Sequence, residues 1–147
     1  MTIPLNRFLQ VMIDKNGSDL FVSSGLPVSA KINGELQPLT DDKLSDEQAL
    51  AMVESAMNEK QRNEFHATKE CNFAIATEEG RFRVSAFWQR DQAGMVIRRI
   101  VTQIPDVNDL GLPSILTDVI MAKRGLVLFV GGTGTGKSTS LAALLGY

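Results

Sequence analysis

Eight consecutive residues, Gly131 to Ser138, combine types and spacing that are suited to binding phosphate. Four of them are glycines, which lack a Cβ, so the backbone can aim successive N–H groups into one concave anion site. Lys137 would reach the β- and γ-phosphates of ATP, and the Ser138 hydroxyl would be a ligand for Mg²⁺. The predicted binding residues are Gly131, Gly132, Thr133, Gly134, Thr135, Gly136, Lys137, Ser138 and Thr139.

Two predicted elements would position this loop. The apolar run Leu126–Val130 is typical of a buried parallel strand, and Ser138–Leu145 is predicted to be a helix with Leu141, Leu144 and Leu145 as its buried stripe. The N-terminus of a helix is partially positive and attracts phosphate. A glycine-rich loop could match the pattern by accident. An apolar strand before it and an amphipathic helix after it favour phosphate binding instead.

Hydrolysis needs more than this loop. Phosphoryl transfer also requires a carboxylate that holds Mg²⁺ and a residue that orients the attacking water. Both normally lie on later strands, whereas this sequence ends at Tyr147, so we expect a fragment that does not hydrolyse ATP by itself. We also expect the segment after Gly125 to be poorly ordered or to take partners from another copy, because a lone apolar strand has an unpaired backbone.

Charge and composition argue against several other kinds of site. The 147 residues carry 15 Lys and Arg against 17 Asp and Glu, so no positive excess predicts nucleic-acid binding. Cys71 is the one cysteine and His66 the one histidine, so neither a disulfide nor a zinc site is predicted. No secretory signal is recognisable, and no apolar run approaches the roughly 18 residues of a membrane helix. We expect a cytoplasmic protein without membrane insertion.

The residues before the loop predict an α+β domain with a mainly antiparallel sheet. Apolar residues recur at helical spacing over 5–13, Asn33-Gly34 predicts a tight hairpin turn, and Ser45 with Gln48 predicts a capped helix start. A second, more polar helix is predicted over Asn58–Phe65. Three strands should follow it, at Asn72–Ala76, Arg81–Trp88 and Met95–Val101, the last after a loop that contains Asp91 and Gly94.

The composition changes after these strands. Ile104–Asp109 is polar and contains a proline, which indicates a linker, and Pro113 suits the first turn of a following helix. The predicted organisation is one domain over 1–102, a linker over 103–112 and the truncated start of an α/β domain over 113–147.

Several segments, taken in order, resemble the N-terminal half of the type II/IV secretion ATPases, and most strongly the twitching-motility ATPases of type IV pili. They are Ser18–Phe21, Glu70–Ile75, Gly80–Phe87, Gly94–Ile100 and Leu110–Pro113. The resemblance implies a PAS-like N-terminal domain joined to the start of a RecA-like ATPase domain that carries a Walker A loop. The family's acidic box, Walker B segment and histidine box have no counterpart in this sequence.

The resemblance also implies an assembly and a cellular role. The parent protein would form a homo-hexameric ring that uses ATP and Mg²⁺ to retract the pilus. It would work at the cytoplasmic face of the inner membrane, beside a second pilus ATPase and an inner-membrane platform protein.

The same resemblance assigns a role to three arginines. Arg81, Arg83 and Arg98 would reach the nucleotide and neutralise charge that develops on the γ-phosphate. From spacing alone, Arg81 and Arg83 share one face of a strand, which equally fits a solvated basic surface. Arg98 shares its face with apolar neighbours and Arg99 points the other way, so we favour Arg98 as the sensor.

Two other functions fit the same residues. The chain could act through its N-terminal domain as an assembly or partner-docking module with an idle phosphate loop. It could also belong to a different enzyme with a phosphate loop, such as a kinase.

Overall fold

The computed structural model describes residues 4–78, 80–101, 103–132 and 135–147, so the predicted binding residues Thr133 and Gly134 lie outside the described residues. The chain divides into two compact units, Met1–Val101 and Thr102–Tyr147. Among the helices of the described ranges, none has both the length and the apolar character that crossing a bilayer requires.

The first unit combines a six-stranded antiparallel sheet with helices, as the sequence predicts. Its helices are α1 (Leu5–Asp14), α2 (Asp46–Ser55) and α3 (Glu59–Thr68). Its strands are β1 (Gly17–Ser23), β2 (Ser29–Ile32), β3 (Glu35–Pro38), β4 (Glu70–Ala76), β5 (Arg81–Gln89) and β6 (Gln92–Ile100). They pair in the order β3-β2-β1-β6-β5-β4, so β1 and β6 form the centre of the sheet.

Side chains alternate across this sheet between a buried face and an open face. In β5, Phe82 and Val84 are buried, whereas Arg81 and Arg83 are exposed. Buried side chains of the helices, such as Met12 of α1, pack with the buried face into a single core. The open face carries exposed and half-buried side chains, with one exception in β1 that bears on the site below.

Two tight turns set the register of the sheet. Asn33 and Gly34 have φ of 51° and 83°, the paired left-handed conformations that the hairpin motif predicts between β2 and β3. Arg90 and Asp91 have φ of 51° and 60° and join β5 to β6 in the same way. The predicted loop through Gly94 is therefore wrong: β6 begins at Gln92, because two non-glycine residues complete the turn.

The predicted capping box at the start of α2 is confirmed. Ser45 Oγ accepts a hydrogen bond from Gln48 N–H at 3.2 Å, and Gln48 Oε1 accepts one from Ser45 N–H at 2.8 Å. Asn58 and Gln61 repeat the arrangement at the start of α3, at 2.9 and 3.0 Å. Each pair satisfies two backbone donors that would otherwise lack partners at a helix end.

The second unit is small and has a modest core. It comprises a 3-10 helix (Val107–Leu110), α4 (Ile115–Ile120) and α5 (Lys137–Leu145). Its buried residues are Val107, Ala143 and Leu144. The predicted buried stripe of α5 is wrong in part, since Leu141 and Leu145 are 39% and 72% exposed. The side of α5 that meets the 3-10 helix and α4 carries Ala143 and Leu144 instead.

The predicted strand Leu126–Val130 is not formed in the described residues. Leu126 and Val130 are 83% and 89% exposed. A strand forms through hydrogen bonds to a neighbouring strand. The described residues of the second unit include no strand that could pair with this segment. The apolar sequence therefore has the composition of a buried strand without the sheet that would bury it.

The core of the first unit gives a test of this fold. Leu20→Ala should lower the free energy of unfolding by about 2–5 kcal/mol, because Leu20 is fully buried and its truncation leaves a cavity. Leu36→Ala is the matched control in the same sheet: Leu36 is 65% exposed, so its change should stay within about 0.5 kcal/mol. Urea titration followed by circular dichroism measures both, and equal losses would contradict the assignment of the buried face.

Candidate functional site

The start of α5 has the backbone geometry of an anion site. Gly136 precedes the helix with φ of 86°, a left-handed conformation that a Cβ makes costly. Gly136 C=O accepts the helical bond from Ser140 N–H at 2.9 Å, so the chain enters the helix directly from this glycine. The first N–H groups of a helix have no acceptor within it and point out of its end. They therefore supply donors and partial positive charge where the sequence predicts phosphate.

Lys137 folds back over the loop that precedes the helix. Its ammonium group donates to Gly132 C=O and lies 3.4 Å from Thr135 Oγ1, which itself donates to Gly132 C=O at 2.8 Å. The positive charge thus sits beside the loop backbone, bonded to neutral oxygens. A phosphate oxygen is a stronger acceptor because it is charged, so it can replace these partners.

The chain supplies part of a nucleotide site. A cavity of about 350 Å³ lies beside the loop, and its lining comprises Val127, Leu128, Phe129, Lys137, Ser138 and Leu141. The Ser138 side chain is exposed and can offer its hydroxyl to a cation. The described residues contain no cluster of three or more His, Cys, Asp or Glu that could hold a metal ion. The backbone donors and Lys137 suit phosphate oxygens, whereas Mg²⁺ would find hydroxyl groups such as that of Ser138 and, among the described residues, no carboxylate cluster.

The predicted arginines lie on the open face of the sheet in the first unit. Arg81 and Arg83 are both exposed on β5, and the register places Arg83 directly opposite Arg98 of β6. Arg99 lies on the other side of β6, where its Nη1 donates to Asn16 Oδ1 at 2.8 Å. The structure therefore brings Arg83 and Arg98 together and separates Arg99 from them.

Sequence reasoning missed Asp19, which pairs with Arg98. Asp19 Oδ1 accepts from Arg98 Nε at 2.8 Å, across a sequence separation that no local pattern spans. Asp19 is 8% exposed and is the single buried charged side chain among the described residues. The available signal was a carboxylate directly before the apolar run Leu20–Val22, because burial of such a group demands a partner.

Cys71, Trp88 and His66 make contacts within the first unit, through burial, ring stacking and a surface pair. Burial raises the pKa of the Cys71 thiol, and the nearby negative charge of Glu64 raises it further. Trp88 stacks on Phe65 with ring centroids 5.6 Å apart. His66 pairs with Glu54, with Nε2 and Oε1 2.6 Å apart at the surface. All three residues thus make packing or surface contacts within the first unit.

Comparison with known proteins gives consistent relatives. The family model described as "Type II/IV secretion system protein" matches residues 2–147. The chain is 55% identical over 142 residues to "Type IV pilus ATPase PilU" of Pseudomonas aeruginosa, covering 96% of this chain and 37% of that protein. It is 36% identical over 144 residues to "Type IV pilus retractation ATPase PilT" of the same organism, covering 97% and 42%.

A solved structure agrees with these relatives. The crystal structure of the pilus retraction motor PilT with bound ADP has a TM-score of 0.85 at 30% identity, over 99% of this chain and 43% of that chain. The chain thus spans well under half the length of the relatives it matches. The stretch Glu70–Ile75 and the pair Arg98-Arg99 favour PilU over PilT from sequence alone, and the higher identity to PilU confirms that preference.

The glycine before α5 gives a first test of the site. Gly136→Ala should weaken binding of Mg·ATP by about fivefold or more, because a Cβ opposes the left-handed conformation that aims the loop. Gly146→Ala is the matched control at the other end of the helix, where φ is −88°. Titration with a fluorescent ATP analogue measures both variants, and equal affinities would contradict a role for this backbone conformation.

The thiol of Cys71 gives a second test. Iodoacetamide at pH 8.5 should alkylate the folded chain far more slowly than the unfolded chain, because the thiol is buried and less of it is thiolate. Since folding raises this pKa, the thiol's contribution to stability is fully present below the pKa of the unfolded chain. It is lost as pH rises through the folded value. Mass spectrometry follows the one cysteine, and equal rates would contradict its burial.

Proposed function

We propose that this chain, which belongs to the family of type II/IV secretion system proteins, is the ATP-binding N-terminal part of a hexameric motor that powers retraction of type IV pili. The observation that carries the proposal is the phosphate loop. Gly136 enters α5 in a left-handed conformation and Lys137 lies over the loop backbone. This combination supplies backbone donors, helix polarity and a cation at one place, which is what the terminal phosphates of ATP require.

The relatives support the choice of motor. Two of them are named as type IV pilus ATPases, PilU and PilT, and the PilT structure holds ADP. Because the chain spans 37% to 43% of these proteins, turnover and ring formation would belong to the longer parent protein.

Within that parent, residues 1–102 would form a PAS-like domain, 103–112 a linker and 113–147 the first part of a RecA-like ATPase domain. The exposed segment Leu126–Val130 would then become a strand of the motor sheet. Its apolar side chains support this assignment, because a buried strand requires them. The rest of the parent would supply the neighbouring strands.

Each site residue then has a role. The amides of the loop Gly131–Thr139 and the Lys137 ammonium would bind the phosphates, and Ser138 would hold Mg²⁺, which screens their charge. Arg81, Arg83 and Arg98 would stabilise negative charge on the γ-phosphate. The carboxylate for Mg²⁺ and the group that orients water would come from the rest of the parent, so the chain alone would bind ATP without hydrolysing it.

The proposed setting is the cytoplasmic face of the inner membrane at the pilus base. There the hexamer would act with a second pilus ATPase and with an inner-membrane platform protein. Nucleic acid is not a proposed partner, since the net charge of −2 offers no general attraction to it.

Lys137→Ala tests the proposal in the full-length parent. Mg²⁺-dependent ATPase activity should fall by about a hundredfold or more, because the cation that stabilises the terminal phosphates is lost. A coupled phosphate-release assay measures it, with twitching motility as the cellular readout.

Lys123→Ala is the control, since Lys123 is an exposed lysine of the same unit that lies outside the loop. Full activity and motility in Lys137→Ala would sink the motor assignment. Loss of ATPase activity with normal motility would favour the docking module with an idle phosphate loop.

A further inference from the structure

Strand β4 forms one edge of the six-stranded sheet and lacks the features that protect such an edge. The other edge, β3, has four residues and ends in Pro38, which has no N–H to offer a further strand. β4 pairs with β5 without a bulge from Glu70 to Ala76, and it contains neither proline nor lysine. An edge strand of this kind is a template for pairing with another strand.

Two hydrogen bonds show which backbone groups of β4 point towards the open edge. Trp88 N–H donates to Lys69 C=O at 2.9 Å just before the strand, and Thr77 N–H donates to Gly80 C=O at 2.8 Å just after it. In an antiparallel pair every second residue bonds to the neighbouring strand, so the odd-numbered residues of β4 bond to β5. The outward N–H and C=O groups belong to Glu70, Asn72, Ala74 and Ala76.

Most of these outward groups are available to a partner. Thr68 Oγ1 donates to Glu70 C=O at 2.8 Å. In the part of the chain that the structure describes, no strand lies beyond β4. Asn72, Ala74 and Ala76 are exposed, so their outward donors and acceptors form an open row along the edge.

The sequence of β4 is complementary to itself about Phe73. If two copies run antiparallel with a two-fold axis at Phe73, all seven residues of the strand pair, and every outward residue meets an outward residue of the second copy. Glu70 then lies opposite the partner's Ala76, and Asn72 lies opposite the partner's Ala74. The two Glu70 carboxylates are at opposite ends, so no like charges face each other across the contact.

The same register aligns apolar side chains on the core side of the sheet. Phe73 and Ile75 are half-buried at the margin of the core, and Cys71 is buried. In the paired strands Phe73 lies opposite the partner's Phe73, and Ile75 lies opposite the partner's Cys71. Cross-strand aromatic and aliphatic pairs stabilise a sheet, and the contact covers apolar surface that a single copy leaves in water.

We propose that β4 is an interaction surface for a second copy of this chain, in which two β4 strands pair antiparallel about Phe73 and form one continuous sheet. The inference goes beyond the proposed function, because it requires no nucleotide and uses residues of the first unit alone. A two-fold contact of this kind closes on itself, so it joins two copies. Sedimentation equilibrium should therefore show a reversible dimer of twice the monomer mass.

Ala74→Pro tests the hydrogen bonds of the contact. It removes an outward N–H without removing a bond to β5, so the dissociation constant of the dimer should rise about tenfold or more while the sheet stays folded. Leu36→Pro is the matched control on the other edge. Leu39 N–H donates to Val28 C=O, so the alternation in β3 points the Leu36 N–H outward as well. Leu36→Pro should leave the dissociation constant unchanged, and circular dichroism checks the fold of both variants.

A charge exchange tests the same pairing without proline. Asn72 and Ala74 are exposed, so charged side chains there should leave the fold intact. The double variants Asn72→Lys/Ala74→Lys and Asn72→Glu/Ala74→Glu should each be monomeric, because like charges then meet across the contact. When the two are mixed they should form a heterodimer, because each introduced lysine then meets an introduced glutamate. Native mass spectrometry distinguishes the heterodimer from either homodimer.

Hydrogen exchange of the wild-type chain identifies what occupies the edge. As the protein concentration rises, the amides of Asn72, Ala74 and Ala76 should exchange about tenfold more slowly, whereas those of Leu126–Val130 should not change. NMR resolves these amides individually. Protection of both segments together would mean that the apolar segment of another copy occupies the edge, which would overturn the pairing of β4 with itself.

Three further outcomes would overturn the inference. They are a chain that stays monomeric up to about 1 mM, a dimer that Ala74→Pro leaves unchanged, and charged variants that remain monomeric when mixed. Lys137 lies in the second unit, so Lys137→Ala should dimerise like the wild type. A failure of the ATPase test would therefore leave the dimer standing, and a failure to dimerise would leave the proposed function standing.

Discussion

The alternation of side chains across β1, β5 and β6 constrains most of what the first unit can do. Phe82 and Val84 must face the helices to form a core, so Arg81 and Arg83, between and beside them, must face outward. The same rule in β1 buries Leu20 and places Asp19 on the outer face. The position of Asp19, Arg83 and Arg98 on the outer face is thus a consequence of burying the core. A shift of one residue in register would exchange the two faces completely.

The charges on the outer face partly compensate one another, because a negative side chain lies beside one of the two positive ones. Arg83 and Arg98 repel as cross-strand neighbours, while Asp19 contacts Arg98 from the other side. Asp19 is buried and Arg98 is exposed, so the pair has a fixed end and a free end. Because solvent screens the exposed Arg98 end, the pair contributes little to folding stability.

The second unit is limited by a different constraint: its backbone needs hydrogen-bond partners, and its apolar side chains need to be buried. Its core is limited to a few residues on α4, α5 and the 3-10 helix. Leu126–Val130 has no strand partner in the described residues and remains largely exposed. The start of α5 is nevertheless formed, because the left-handed conformation of Gly136 and the first turn of the helix depend on neighbouring residues. Formation of α5 and formation of a sheet are therefore separable properties of this segment.

The sequence by itself determined the features that arise from neighbouring residues. The turn at Asn33-Gly34, the cap at Ser45 and the start of α5 after Gly136 each depend on a few adjacent φ and ψ angles, and all are present. Only the tertiary structure decided the rest. Asp19 meets Arg98 through strand register between distant segments, and Leu126–Val130 stays out of a sheet because its partners must come from elsewhere. Local preferences act within a few residues, whereas pairing and burial depend on what the remainder of the fold brings alongside.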